Sequence, residues 1–358
     1  MRLTQLRQKL AEQELDAILI TQPENRRYLS GFTGSDGVLI ISAEAAYLAT
    51  DFRYYEQVER QAPEFTLAKV EGKFPPRLAE LISELGAQRV GFESTHVTVD
   101  QHQQWAEAAA CALQGECFEL VPTKGIVEEL RAVKDNGELA AIQQAVKLSD
   151  AALAHIVEWL RPEMTEKEVA WELEAFMRTH GAEAVAFNPI VGSGPNGAMA
   201  HVEPSDRRIQ EGEPIVIDLG ARVDGYCSDL TRTICVGEPQ ERFCQIYAVV
   251  LEAQEAAEGA MRAGLKGSTV DAIARDLIET AGYGEHFGHS LGHGVGLAIH
   301  EGPRISKTSE DELQAGMVVT IEPGIYIEGW GGVRIEDLAV VEEQGVDVLT
   351  TAPKGLTG

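Results

Sequence analysis

The sequence predicts two domains, an α/β layer domain followed by an α+β domain. Three observations lead there. The chain has 358 residues, more than one typical hydrophobic core supports. Over its first third, short apolar runs alternate with helix-period segments, as in an α/β layer. After that, pairs of helical segments are each followed by β hairpins, a different rhythm. The domains are expected at residues 1–126 and 127–358, with the change inside the charged stretch VEELRAVKD.

In the first domain LTQLRQKLAEQ and FPPRLAELISELGA carry helical periodicity, the second ending at Gly86. LDAILIT, GVLIISA, AAYLAT, QRVGFES and CFELVPT are the expected strands. In the second domain, Asp135 or Asn136 caps a long helix with Leu139, Ile142, Val146 and Leu153 at helical spacing. Pro162 stops it, and Thr165 with Glu168 forms the capping-box pattern of the next helix. Helices are then expected from Arg242 to Ala263 and from Val270 to Ala281. The order of helices then β structure occurs twice, a pseudo-repeat of architecture without sequence identity.

Composition excludes several classes. A net charge of -27 argues against binding nucleic-acid backbones or anionic membranes. No apolar run reaches the length of a membrane span, and the start lacks a signal-peptide pattern. Five cysteines (Cys111, Cys117, Cys227, Cys235 and Cys244) without a CxxC pair suit buried thiols in a reducing cytoplasm, the expected address.

The chemistry concentrates in two hairpins. In IDLGARVDGYCSDLTRT, Asp224-Gly225 is a strong turn signal. Centring the hairpin there sets Asp218 opposite Thr231 and makes Asp218 and Asp229 diagonal neighbours on one face. Such Cβ atoms lie roughly 7–8 Å apart, close enough for two carboxylates to share a cation. The second hairpin, centred on Gly329, directly opposes Glu322 and Glu336. One acid in an apolar strand reads as a solvated or salt-bridged residue. Four at matching places, too costly to bury unpaired, read as a site for divalent cations. Oxygen-rich ligation favours a hard or borderline metal such as manganese.

Between the hairpins, HFGHSLGHGVGLAIHEGPRIS brings His289, His293 and His300 together among glycines that disfavour a helix. His201 is a further candidate by composition. Several alternatives are missing: the HExxH zinc helix, the Walker A loop, the full dinucleotide fingerprint and the GxSxG elbow.

Asp218, Asp229, His293, Glu322 and Glu336, in the contexts IDLGARVDGYCSDLTRT, SLGHGVGLAIHE, TIEPGIYI and VRIED, resemble the ligands of the pita-bread metallopeptidases. That family includes methionine aminopeptidase, aminopeptidase P and prolidase. YLSGFTGS and ATDFRYYEQ resemble the N-terminal domain of its aminopeptidase P and prolidase branch, so the resemblance spans nearly the whole chain.

The resemblance implies a creatinase-like first domain, a pita-bread catalytic domain and two divalent metal ions, manganese first, with cobalt or zinc as alternatives. Asp218 would hold one ion, Asp229 and Glu336 would bridge both, and His293 and Glu322 would each bind one. Glu322 would also shuttle the proton, His289 would orient or stabilise the tetrahedral centre, and His300 would hydrogen-bond the scissile region. His201, Arg304 and Arg334 would face substrate. The implied substrates are proline-containing peptides and the implied assembly is a homodimer. The leading expectation is an aminopeptidase P-like Xaa-Pro aminopeptidase, the alternative an Xaa-Pro dipeptidase, and a remote third a non-catalytic peptide-binding module.

Overall fold

In the computed structural model, which describes residues 1–110 and 117–355, the apolar runs of the first third assemble into one mixed sheet. Its strands are β1 (Ala17–Ile20), β2 (Val38–Ser42), β3 (Ala46–Thr50), β4 (Thr66–Lys69), β5 (Arg89–Glu93) and β6 (Glu119–Thr123), in the order β4-β3-β2-β1-β5-β6. Only β2 runs antiparallel to its neighbours. Helices α1 (Arg2–Glu12), α2 (Pro23–Ser30), α3 (Tyr55–Gln61), α4 (Phe74–Leu85) and α5 (Val99–Ala110) connect them. The five expected strands and two expected helices are present. β4, α2, α3 and α5 were not expected: β4 and α3 each bury a single residue, and α2 buries Asn25 and Arg26 beside Tyr28 and Leu29, so no apolar period marks them.

The two compact units divide between Arg131 and Ala132, five residues beyond the expected boundary. The reason is helix α6 (Ile126–Ala132), which is tied to the first unit. Tyr28 Oη donates to the Leu130 carbonyl at 2.9 Å, and Arg131 donates to Asn25 Oδ1 at 2.8 Å. Cys117, Cys235 and Cys244 are free thiols, and Cys227 is buried with its Sγ 3.9 Å from the Leu297 carbonyl; Cys111 lies outside the described residues.

The second unit repeats one plan twice. Helix α7 (Asn136–Trp159) starts at Asp135, whose side chain accepts from Gly137 and Glu138 amides at 2.9 Å while Glu138 caps it in return. Thr165 and Glu168 do the same for α8 (Glu166–Thr179). These helices pack Leu153, Ile156, Val169 and Leu173 against Ile215, Ile217 and Leu230 of the first hairpin. Helices α9 (Glu241–Ala260) and α10 (Gly267–Thr280) pack Phe243, Val250, Val270 and Ile278 against Val319, Ile321 and Val333 of the second. Each fully buried aliphatic side chain contributes about 1.5–3 kcal/mol.

After the short strands β7 (Ala184–Val185) and β8 (Ile190–Ser193), the first hairpin comprises β9 (Ile215–Leu219), β10 (Ala221–Val223), β11 (Tyr226–Cys227) and β12 (Leu230–Ile234). Asp224 and Gly225 have φ of 46° and 76°, the left-handed pair that a type I′ turn requires. Asp218 pairs with Thr231, as expected. After β13 (Gly292–Gly294) and β14 (Glu301–Ile305), the second hairpin comprises β15 (Val318–Ile321), β16 (Gly324–Ile327), β17 (Gly331–Arg334) and β18 (Asp337–Glu342), followed by β19 (Gly345–Val348). Ile321 pairs with Asp337 and Gly324 with Arg334, the register that opposes Glu322 to Glu336.

Both ladders break in the middle. Asp229 sits in the gap between β11 and β12, Glu322 between β15 and β16, and Glu336 between β17 and β18. Register continues across each gap while the strands change sheets, so these acids sit where the backbone bends.

The two hairpins are zipped along β12. Arg232, 1% exposed, donates to the Glu336 carbonyl, to Asp337 Oδ1 at 2.7 Å and to the Ala352 carbonyl at 2.7 Å. Thr233 Oγ1 donates to the Arg334 carbonyl and accepts the Arg334 amide, both at 2.9 Å. Arg232→Met is expected to cost roughly 3 kcal/mol or more in urea unfolding, because it strands buried acceptors. A loss under about 1 kcal/mol would show that the hairpins do not depend on this residue.

Candidate metal centre and its cavity

A cavity of about 600 Å³ opens in the second unit, and all ten residues singled out from the sequence line it. The carboxylates form its floor. One ligand atom each from Asp218, Asp229 and Glu336 lies within 4.8 Å of the others. Asp218 Oδ2 accepts from Arg334 Nη2 at 2.6 Å, while its Oδ1 is buried without a hydrogen-bond partner among the described residues. Glu336 Oε2 accepts from Thr231 Oγ1 at 2.6 Å. Glu322 Oε1 accepts from Thr320 Oγ1 at 3.0 Å and lies 3.3 Å from His293 Nε2, which is 3.6 Å from Asp229 Oδ2.

Burial raises the pKa of Asp218 despite Arg334, and raises Asp229 and Glu336 well above the usual carboxylate range, reinforced by the neighbouring acids. Burial also opposes ionisation of Glu322, but the His293 hydrogen bond and the nearby His293, His289 and Arg334 charges outweigh it and bring Glu322 to about 2. The same contact raises His293 against its burial. Protein groups therefore offset only part of the negative charge.

These residues fit a pair of divalent cations. Asp218 Oδ1 is a buried acceptor orphaned among the described residues, and Asp218 belongs to the carboxylate cluster. His293 Nδ1 lies 3.1 Å from the Gly294 carbonyl, so its proton belongs on Nδ1 and Nε2 is left as a ligand atom facing the carboxylates. The donor set is four carboxylates and one imidazole, suited to manganese-like ions.

Three expected substrate-side groups lie on the open walls. His201 and His300 are exposed and make no hydrogen bond among the described residues; the His300 ring lies 4.4 Å from that of His293. Partial burial and His293 lower the His300 pKa, which keeps the ring neutral. The Arg304 side chain is also exposed and unpaired among the described residues, while its backbone lies in the β13–β14 ladder and its amide donates to Asp311.

Two of the lining residues, Arg334 and His289, are engaged by the protein itself. Arg334, expected to meet substrate, is 3% exposed and gives its donors to Asp218, the Ala200 carbonyl, Tyr326 and Thr231. It braces the floor of the cavity. His289, expected to touch the reacting centre, has both ring nitrogens occupied: Nδ1 by the Ser290 carbonyl at 2.8 Å and Nε2 by Tyr326 Oη at 2.9 Å. Because Arg334 donates to Tyr326 Oη, the phenol gives its own proton to His289 Nε2. Burial lowers the His289 pKa, in keeping with a neutral ring.

Tyr326, Thr231 and Thr320 were not anticipated. Tyr326 joins His289 to Arg334 and is pushed up to about 12, chiefly by burial. Its signal was in the second hairpin: the register that opposes Glu322 to Glu336 places Tyr326 and Arg334 diagonally on the same face.

Residues 140–343 match Metallopeptidase family M24, and residues 2–133 match the Creatinase/Prolidase N-terminal domain. The chain belongs to metallopeptidase family M24. Its second unit has the pita-bread fold, preceded by the creatinase-type domain. This M24 chain is similar to the structure of an Xaa-Pro dipeptidase from Bacillus anthracis, at 43% identity and TM-score 0.95, covering 99% of this chain and 98% of the other. It is also similar to the structure of an X-Pro aminopeptidase from Thermotoga maritima MSB8, at 40% identity and TM-score 0.88, covering 96% and 97%. An Xaa-Pro dipeptidase of Pyrococcus furiosus is 37% identical over 99% of both chains.

Thr231→Val, which removes the hydroxyl on Glu336, is expected to weaken manganese binding by roughly 10–100-fold in titration calorimetry. Asp229→Asn should weaken it further and lower the stoichiometry from two. Unchanged affinity and stoichiometry in Asp229→Asn would exclude these carboxylates as the metal site.

Proposed function

We propose that this protein is an Xaa-Pro dipeptidase that holds two divalent cations, manganese first, on Asp218, Asp229, His293, Glu322 and Glu336. The observation that carries the reading is the pairing of this carboxylate floor with the free guanidinium of Arg304 on the same cavity wall. A guanidinium without a protein partner among the described residues, on the wall of this cavity, suits the terminal carboxylate of a dipeptide. The names of the Bacillus anthracis and Pyrococcus furiosus relatives support the dipeptidase over the aminopeptidase P-like activity favoured from sequence. The Thermotoga maritima relative keeps the aminopeptidase as the second reading.

When bound, the cations supply Lewis acidity that polarises the scissile carbonyl and lowers the pKa of water. The chain's own groups do the rest. Glu322 Oε1 accepts from Thr320 Oγ1, so Oε2 takes the proton from water and returns it to the proline nitrogen. His300, neutral and unpaired, donates to the scissile region, and His201 meets the leaving-group side. Phe187, Ile190 and Ile299 give the cavity an apolar wall for the ring and the first side chain. His289 and Arg334 hold Tyr326 and Asp218 in place.

A cytoplasmic homodimer belongs to the same proposal. Light scattering that returns the single-chain mass of 38.9 kDa at every concentration counts against the dimer.

With manganese-loaded protein, Ala-Pro is expected to be cleaved at least tenfold more efficiently than Ala-Pro-Ala. Arg304→Ala should raise KM for Ala-Pro by roughly 10–100-fold with little change in kcat, the cost of losing a charged hydrogen bond. Equal or faster release of alanine from the tripeptide would establish the aminopeptidase instead. No metal-dependent cleavage of either peptide would leave only a binding module.

A further inference from the structure

We infer that Asp271 and Arg275, one turn apart on α10 and outside the cavity lining, are positioning residues that fix His289 and, through it, the Tyr326–Arg334–Asp218 chain. The inference rests on the cavity being the peptidase site proposed above. Asp271 is 0% exposed and Arg275 is 8% exposed. Their side chains form a two-point ion pair, Nε to Oδ2 at 2.7 Å and Nη2 to Oδ1 at 2.9 Å.

The pair's remaining capacity goes to one stretch of backbone. Arg275 Nη1 donates to the Phe287 carbonyl and Nη2 to the His289 carbonyl, both at 2.8 Å. Asp271 Oδ1 accepts the Leu291 amide at 3.1 Å. Carbonyl, carbonyl and amide of alternate residues are thus bound along a segment that bends at His289 and Leu291. The guanidinium also lies 4.0 Å from the centre of the Phe287 ring, which meets the His289 ring edge-on at 5.1 Å. The Leu291 carbonyl accepts the Glu322 amide at 2.8 Å. The segment carrying His289 is held between the α10 pair and the residue proposed to move the proton.

Burying an ion pair is costly unless its geometry is good and its remaining donors are satisfied. An apolar pair would serve α10 packing, but no apolar side chain can grip three backbone groups in a glycine-rich stretch that lacks a regular ladder. Only the planar fork of arginine reaches two carbonyls and a carboxylate at once, so lysine is not an equivalent replacement.

The test is Arg275→Lys, alone and combined with His289→Ala, with Asp271→Asn as a second entry to the same contacts. In protein labelled on histidine rings, the His289 signal, identified by its loss in His289→Ala, is expected to shift and broaden in Arg275→Lys while those of His155 and His180 stay in place. For turnover, kcat on the preferred Xaa-Pro substrate is expected to fall at least tenfold with KM within threefold. In the His289→Ala background the same change should cost less than twofold. An unmoved His289 signal in both Arg275→Lys and Asp271→Asn would overturn the inference, as would a kcat loss of equal factor in both backgrounds. The ring signal needs no turnover, so an inactive wild type sinks the dipeptidase reading and leaves this one to be decided by the spectrum.

Discussion

Four carboxylates share one β-lined cavity, and they cannot all be ionised there without cations. Burial raises three of them, and their mutual repulsion adds to the shift at Asp229 and Glu336. The protein supplies Arg334 against Asp218 and a single imidazole, His293, shared between Glu322 and Asp229. A fold that tolerates this arrangement must fix the acids rigidly enough for bound cations to offset their repulsion. The sheet breaks that set Asp229, Glu322 and Glu336 at bends and the Arg232 zipper both serve that need. So does the backbone-locked tautomer of His293.

The internal repeat divides the site between its halves. The first hairpin brings Asp218 and Asp229, and the second brings Glu322 and Glu336, with His293 from the neighbouring strand. Neither half has enough donors for two cations, so function depends on the contacts between hairpins. Thr231 shows this most directly. It lies in the first hairpin, yet its hydroxyl donates to Glu336 and accepts from Arg334.

What was legible in the sequence follows the range of the interactions. Hairpin registers are set by local turns, and Asp224-Gly225 and the turn around Gly329 fix them, so the pairing of acids could be read residue by residue. Capping boxes at Asp135 and Thr165 are equally local. The engagement of Arg334 and His289 was not readable, because their partners come from residues brought together only when the hairpins dock. Tyr326 falls between the cases: its face was implied by the register, but its hydrogen bonds to His289 and Arg334 were not. The units divide inside VEELRAVKD, where α6 carries charges suited to a linker while its hydrogen bonds to Tyr28 and Asn25 hold it to the first unit.

The two hairpins are proposed to hold two cations between them. The most direct measurement is an anomalous difference map from crystals of the manganese-loaded protein. Two peaks are expected in the cavity, each within ligand distance of side chains from the set Asp218, Asp229, His293, Glu322 and Glu336. A single peak, or peaks away from these five side chains, would contradict it.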